Sequence, residues 1–156
     1  MAKNIWKAHS QLLEAICASS AVVFQNAMYN IGGLGSSHSV EWFSLGFNGQ
    51  HYWKFMDIPN CSFTSSNWRE AFEVENKIVC FGLNSAKTTE VIEQGEDSEK
   101  LQIIRKDLGF DLLKGDYNTA SCVLKNEIYA FKREKYGEVH RYNLQSGKWS
   151  LFYSNK

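Results

Sequence analysis

The sequence of 156 residues contains an internal repeat with a period of about 50 residues. Tyr29, Val79 and Tyr129 mark it, and their neighbours keep the same spacing without insertion or deletion. The three matching stretches read SAVVFQNAMYNIGG (20–33), AFEVENKIVCFGLN (71–84) and SCVLKNEIYAFKRE (121–134). Such a repeat indicates an array of small units, each burying its apolar surface against the next.

Each unit reads as four β-strands. Val, Ile, Phe and Tyr, which suit a pleated surface, flank a short turn that contains an Asn able to adopt a left-handed backbone. Third strands are predicted at 39–45, 89–94 and 138–144, and fourth strands at 51–56, 100–106 and 148–154. The apolar runs are continuous rather than alternating, which predicts sheets covered on both faces. The pattern is all-β and typical of propeller blades.

Glycines and aromatic residues recur at corresponding places in these units. The first unit carries Gly32 and Gly33 after its second strand, Phe43 in the third strand and Trp53 in the fourth. The third unit carries Tyr142 and Trp149 in its third and fourth strands. The units resemble kelch repeats, whose marks are a glycine doublet, then a Tyr, then a Trp.

The resemblance covers nearly the whole chain from about residue 15, and its motifs are partial. The second unit keeps Gly82 alone, has Ile92 near the Tyr position, and places Leu101 or Ile103 where the Trp belongs. The third unit has a Lys–Arg pair, at 132 and 133, in place of the glycines. The resemblance implies a kelch-type β-propeller segment of three four-stranded antiparallel blades.

The period also predicts where the units begin and end. We expect blade 1 at 15–58, blade 2 at 59–110 and blade 3 at 111–156. Trp6 stands about one period before Trp53, so residues 1–14 are predicted to be an orphan outer strand or linker of a preceding blade. Closed propellers have four to eight blades. Three blades therefore predict completion by a second copy, by another chain, or by the rest of a longer kelch chain.

Composition limits the partners. Lys plus Arg and Asp plus Glu number 17 each, and this neutral balance predicts no nucleic-acid partner and no anionic membrane partner. No run approaches the roughly 18 apolar residues of a membrane span, and the N-terminus lacks the pattern of a signal peptide. We expect a soluble cytoplasmic protein, with the cytoskeleton as one setting.

The sequence shows no catalytic or metal-binding constellation, and we expect no cofactor. Free, buried thiols are predicted for the four cysteines, with disulfides or metal ligands as the alternative (Cys17, Cys61, Cys80, Cys122). The acidic stretch 93–100 is interpreted as a solvated turn. His140 and Tyr142 share one face of a strand and are assigned to the core or to cross-strand contacts.

Loops on a rigid scaffold are where binding residues concentrate. The resemblance points to the loops after the second strands and between blades. Seven side chains there are the predicted partner-binding residues, namely His38, Trp68, Arg69, Lys87, Tyr117, Lys135 and Tyr136. The leading hypothesis is a non-catalytic scaffold for protein–protein interaction. The alternatives are the substrate-recognition part of a ubiquitin-ligase adaptor, and a fragment of a kelch-fold enzyme or carbohydrate-binding protein.

Overall fold

The computed structural model describes residues 11–33, 40–44, 53–61, 69–82, 88–96, 100–108, 120–132 and 137–154. Within these ranges the protein is all-β, without a helix, and its twelve strands form three four-stranded antiparallel sheets. Strands neighbouring in sequence are neighbours in each sheet, so every sheet is a meander of one continuous segment. The all-β prediction is confirmed, and each predicted strand overlaps an observed one.

Sheet 1 contains β1 (Ser20–Phe24), β2 (Ala27–Ile31), β3 (Val40–Ser44) and β4 (Trp53–Met56). Sheet 2 contains β5 (Arg69–Val74), β6 (Lys77–Gly82), β7 (Thr88–Gln94) and β8 (Leu101–Leu108). Sheet 3 contains β9 (Ala120–Leu124), β10 (Glu127–Lys132), β11 (Glu138–Asn143) and β12 (Lys148–Ser154).

Two-residue turns join the first and second strands of every sheet. The pairs Gln25–Asn26, Glu75–Asn76 and Lys125–Asn126 all have positive φ, between 44° and 61°. Positive φ at both central residues is the signature of the type I′ turn, whose twist matches that of the flanking strands. The residue after each Asn already belongs to the second strand, so each turn consists of two residues only.

The sheets stack in chain order with sheet 2 in the middle. We call the face of a sheet that is directed toward the next sheet its forward face, and the opposite face its rear face. One apolar core joins the forward face of sheet 1, which includes Phe24 and Ile31, to the rear face of sheet 2, which includes Ile78 and Ile92. A second core joins the forward face of sheet 2 to the rear face of sheet 3. The first strands β1, β5 and β9 make contacts from sheet to sheet.

This stacking gives the two end sheets a different environment from the middle one. Sheet 2 is covered on both faces, as its continuous apolar runs predicted, whereas the forward face of sheet 3 exposes large apolar side chains. Residues 11–19 contain no β-strand and reach the rear face of sheet 1, where the Glu14 backbone N–H donates to Glu41 Oε1 at 3.0 Å. The predicted orphan strand around Trp6 lies outside the described residues.

Among the described residues, no helix is long and apolar enough to cross a membrane.

Candidate functional site

The glycine and aromatic positions of the repeat lie at defined places in the sheets. Gly32 and Gly33 follow β2 directly and have φ of 66° and 108°. A Cβ on Gly33 would come within 2.9 Å of the Cys17 carbonyl oxygen and would collide with Ile16. The doublet therefore lets the chain leave sheet 1 while the segment from residue 11 passes close to it. Gly82 is the last residue of β6.

The aromatic pairs of the first and third units are cross-strand neighbours. Tyr142 and Trp149 are opposite each other in the register of β11 and β12, with ring centroids 5.3 Å apart. Phe43 and Trp53 occupy the equivalent places in β3 and β4, at 5.4 Å. Cross-strand aromatic contacts of this kind add to sheet stability beyond the area they bury.

Tyr142 belongs to a polar cluster between sheets 2 and 3. Its hydroxyl donates a hydrogen bond to Asp107 Oδ2 and accepts one from Arg105 Nη2 at 3.0 Å. Arg105 Nε donates to the same Asp107 oxygen at 2.7 Å, and Arg105 Nη2 also donates to the Leu144 carbonyl oxygen. Burial, and then the adjacent Asp107 carboxylate, raise the pKa of Tyr142 above its ordinary value. The cluster holds a neutral tyrosine between two charged groups.

Trp149 makes a second link between the same two sheets. Its indole Nε1 donates to Thr89 Oγ1 at 2.9 Å, and its ring meets Phe81 edge-on with centroids 5.0 Å apart. The sequence identified Tyr142 and Trp149 as marker residues of the repeat. It did not predict their partners on sheet 2, because these partners belong to the preceding repeat unit.

One buried position carries an ionisable side chain in all three sheets. Glu41, Glu90 and His140 lie opposite Asn30, Cys80 and Ala130 in the register of the second and third strands, and all three are buried. Glu90 forms an ion pair with Lys106 at 2.9 Å, and His140 Nε2 lies 3.3 Å from Glu138 Oε2. The assignment of His140 and Tyr142 to the core or to cross-strand contacts is confirmed, since both are buried.

The hairpin turns of the three sheets meet at one edge of the protein, which we call the hairpin edge. Gln25 Nε2 donates to Asn76 Oδ1 at 3.3 Å, and this bond joins the turns of sheets 1 and 2. A polar cleft of about 210 Å³ separates the turns of sheets 2 and 3, with Glu75 on one wall and Lys125 on the other. All three meanders therefore run in the same direction.

This common direction decides where the predicted binding loops begin. In an antiparallel meander the second-to-third connections and the links to the next sheet leave from the edge opposite the first turn. We call this edge the connection edge. Six of the seven predicted partner-binding residues belong to such connections by their place in the sequence, and these six lie outside the described residues (His38, Trp68, Lys87, Tyr117, Lys135, Tyr136). Arg69 begins β5 at the same edge.

A larger groove, of about 700 Å³, lies where the chain passes from sheet 1 to sheet 2. Asp57 and Asn60 line one side, and Glu96 and Lys100 of the acidic stretch line the other. Of that stretch, residues 97–99 lie outside the described part, and the Gly95 N–H donates to the Lys100 carbonyl oxygen at 2.7 Å to close the turn. Glu96 and Lys100 are exposed, as expected for a solvated turn, whereas Glu93 is half-buried and lies 3.8 Å from Lys77 Nζ.

Three blades that cannot close predict an open apolar face at each end of the stack, and the forward face of sheet 3 is such a face. It includes Cys122, Leu124, Tyr129, Phe131 and Phe152. These residues share a face because Cys122 is opposite Tyr129 in the register and the rings of Tyr129 and Phe152 are 5.1 Å apart. The Arg141 guanidinium carbon lies 5.7 Å from the centre of the Phe152 ring. The repeat itself carried the signal, since Leu124 and Phe131 correspond to buried residues of sheets 1 and 2.

The four cysteines are free thiols, as predicted. Cys80 is buried, whereas Cys17 and Cys122 are exposed and Cys61 is half-buried, so the prediction of buried thiols was wrong for these three. Cys122 is exposed because none of the described sheets covers the forward face of sheet 3. In the described part of the chain, no three His, Cys, Asp or Glu side chains are grouped so as to hold a metal ion.

Comparison with known proteins gave no assignment, since no family model and no curated protein matches the chain.

Proposed function

We propose that this chain is a kelch-type β-propeller segment that acts as a non-catalytic scaffold for protein–protein interaction in the cytoplasm. The observation that carries the proposal is the repeated use of one packing arrangement. Forward face meets rear face twice in succession, and the first strands of adjacent sheets are in contact, as expected of blades that radiate from an axis. The Gly32–Gly33 doublet and the Tyr142–Trp149 pair support the kelch assignment.

The binding role is assigned to the connection edge. Six of the partner-binding residues predicted from the sequence belong to connections whose flanking strands end on this side, and Arg69 begins β5 there, so this edge offers a partner residues from more than one blade. Aromatic residues and arginine contribute much of the binding energy at protein interfaces because they bury large areas and form planar hydrogen bonds. Trp68, Arg69, Tyr117 and Tyr136 are the residues of these types.

The test is recovery of a partner with tagged protein from the native source. We expect a partner, identified by mass spectrometry, whose recovery falls at least tenfold when Trp68→Ala, Tyr117→Ala and Tyr136→Ala are combined. Gln25→Ala with Lys125→Ala, at the hairpin edge, is the matched control and should leave recovery unchanged. A partner retained by the loop variant and lost with the control would contradict the assignment. Ubiquitin-ligase subunits among the recovered proteins would favour the adaptor role instead.

A further inference from the structure

The two sheet–sheet interfaces are built from equivalent residues. At the first, Phe24 and Ile31 of sheet 1 are 2% and 0% exposed; at the second, Val74 and Phe81 of sheet 2 are 2% and 4% exposed. On the receiving side, Ile78 of sheet 2 and Ile128 of sheet 3 are both buried. One rule therefore describes both interfaces, namely that a forward face is buried by the rear face of the next sheet.

The forward face of sheet 3 carries apolar residues at the same positions as the forward faces of sheets 1 and 2, but none of the described sheets packs on it. Leu124 occupies the place of Phe24 and Val74 in the repeat and is 58% exposed. Phe131 occupies the place of Ile31 and Phe81 and is 45% exposed. Phe152 adds an aromatic ring that is more than half exposed. A contiguous apolar face of this kind on a soluble protein marks an interaction site.

The rear face of sheet 1 is the complementary flank. Met28 holds the place of Ile78 and Ile128 but is half-buried, and Trp53 holds the place of Trp149. Val23 and Phe55 share this face and are 54% and 40% exposed. Beside it, the segment from residue 11 exposes Leu12 and Leu13.

We propose that the forward face of sheet 3 docks on the rear face of sheet 1 of a second copy, so that two copies close head to tail. This inference rests on the propeller arrangement proposed above. The contact continues the established series of interfaces by one step, with Phe131 directed toward Trp53 of the other copy as Phe81 is toward Trp149. Two copies supply one forward and one rear flank each, so no flank is left over. Six sheets lie within the range of closed propellers.

The first test is the mass of the full chain in solution. We expect sedimentation equilibrium at tens of micromolar to give twice the 17.9 kDa of one chain, with dissociation on dilution. A mass of 17.9 kDa throughout this range would overturn the proposal without requiring any variant.

The second test distinguishes head-to-tail contact from other dimers. Phe131→Glu alters the forward flank and Met28→Glu the rear flank, and each is expected to weaken self-association at least tenfold. An equimolar mixture retains one unaltered forward flank and one unaltered rear flank on different chains, so we expect the dimer mass to return. A wild-type dimer that the mixture does not restore would mean self-paired flanks and would contradict the proposal.

Controls keep the result interpretable. Ile104→Glu changes a side chain that is 42% exposed on β8 of sheet 2, away from both flanks, and should leave the dimer intact. Circular dichroism shows whether each variant keeps its β structure, and if Met28→Glu does not fold, the wild-type mass decides. A monomer that still recovers a partner through the connection edge would refute the dimer and leave the proposed function standing.

Discussion

Trp149 Nε1 donates a 2.9 Å hydrogen bond to Thr89 Oγ1 and so joins the fourth strand of sheet 3 to the third strand of sheet 2. Thr89 is fully buried, so its hydroxyl has no access to water. The pair is separated by 60 residues in sequence. A contact of this range reports the packing of one sheet on another rather than the formation of either sheet.

Trp149→Phe should lower the free energy of unfolding by about 1–3 kcal/mol, because it leaves the buried Thr89 hydroxyl unsatisfied. The measurement is urea denaturation followed by circular dichroism. Thr89→Val is the matched control, and the double variant should lose less than the sum of the single variants because both partners are then apolar. Strict additivity would show that the hydrogen bond contributes nothing to the stacking.

Tyr142→Phe should destabilise the protein at pH 7 by about 1.5–3 kcal/mol, because the hydroxyl is hydrogen-bonded to two charged side chains, Asp107 and Arg105. Its pH dependence is more specific. The pKa of Tyr142 is raised in the folded state, so above pH ~10 the unfolded chain releases this proton first and the stability of the wild type falls as pH rises. Tyr142→Phe lacks this loss.

The stability difference between the two proteins should therefore shrink above pH ~10, by up to about 1.4 kcal/mol per pH unit. Urea midpoints measured from pH 7 to 11 check it. Tyr129→Phe serves as a comparison, because the hydrogen bond to Glu127 also raises the pKa of Tyr129 and its stability difference from the wild type should shrink in the same direction. An unchanging difference between wild type and Tyr142→Phe would contradict the assignment of the shift to Tyr142.

Lys106→Met should cost about 3 kcal/mol, because it removes the counter-charge of the fully buried Glu90. Adding Glu90→Gln should recover much of that loss, since the buried charge is then absent as well. Lys106→Arg keeps the charge and should cost less than Lys106→Met. Chemical denaturation of the four proteins at pH 7 measures these differences, and a double variant less stable than Lys106→Met would contradict the account.

Gly33→Ala should destabilise sheet 1 by about 1–3 kcal/mol, because φ of 108° is strained for alanine and the added Cβ meets Cys17 and Ile16. Hydrogen exchange should then report faster opening of residues 14–19 and 29–33. Gly32→Asn is the control, since Asn tolerates the left-handed φ of 66°. Equal effects of the two substitutions would mean that the close approach at Gly33 has no role.

The strands were predictable because the repeat fixed them three times over. A single apolar run such as 71–74 does not distinguish a strand from a helix. Three such runs at equal spacing, each followed by a turn that contains an Asn, indicate hairpins and define the register of their strands. The two-residue turns follow from the same Asn residues. Local sequence thus determined the pairing within each sheet.

The candidate surfaces were only partly predictable, for two reasons. Contacts between sheets join residues from different repeat units. The sequence around Tyr142 therefore did not predict its contacts with Arg105 and Asp107. The exposure of a side chain also depends on its neighbours: Leu124 holds the same place in the repeat as the buried Val74, but none of the described sheets covers it. The predicted loops lie at one edge because all three meanders run in the same direction, and this direction was known only from the structure.

Each sheet is drawn from one uninterrupted stretch of the chain, and this has a consequence for biosynthesis. Pairing within a sheet closes only short loops, which is entropically cheap and fast. Translation proceeds at about 5–20 residues per second from the N-terminus, slower than hairpin formation by orders of magnitude. Sheet 1 can thus form and pack against sheet 2 while the ribosome is still synthesising sheet 3. The forward face of sheet 3 is therefore the last of the three forward faces to form.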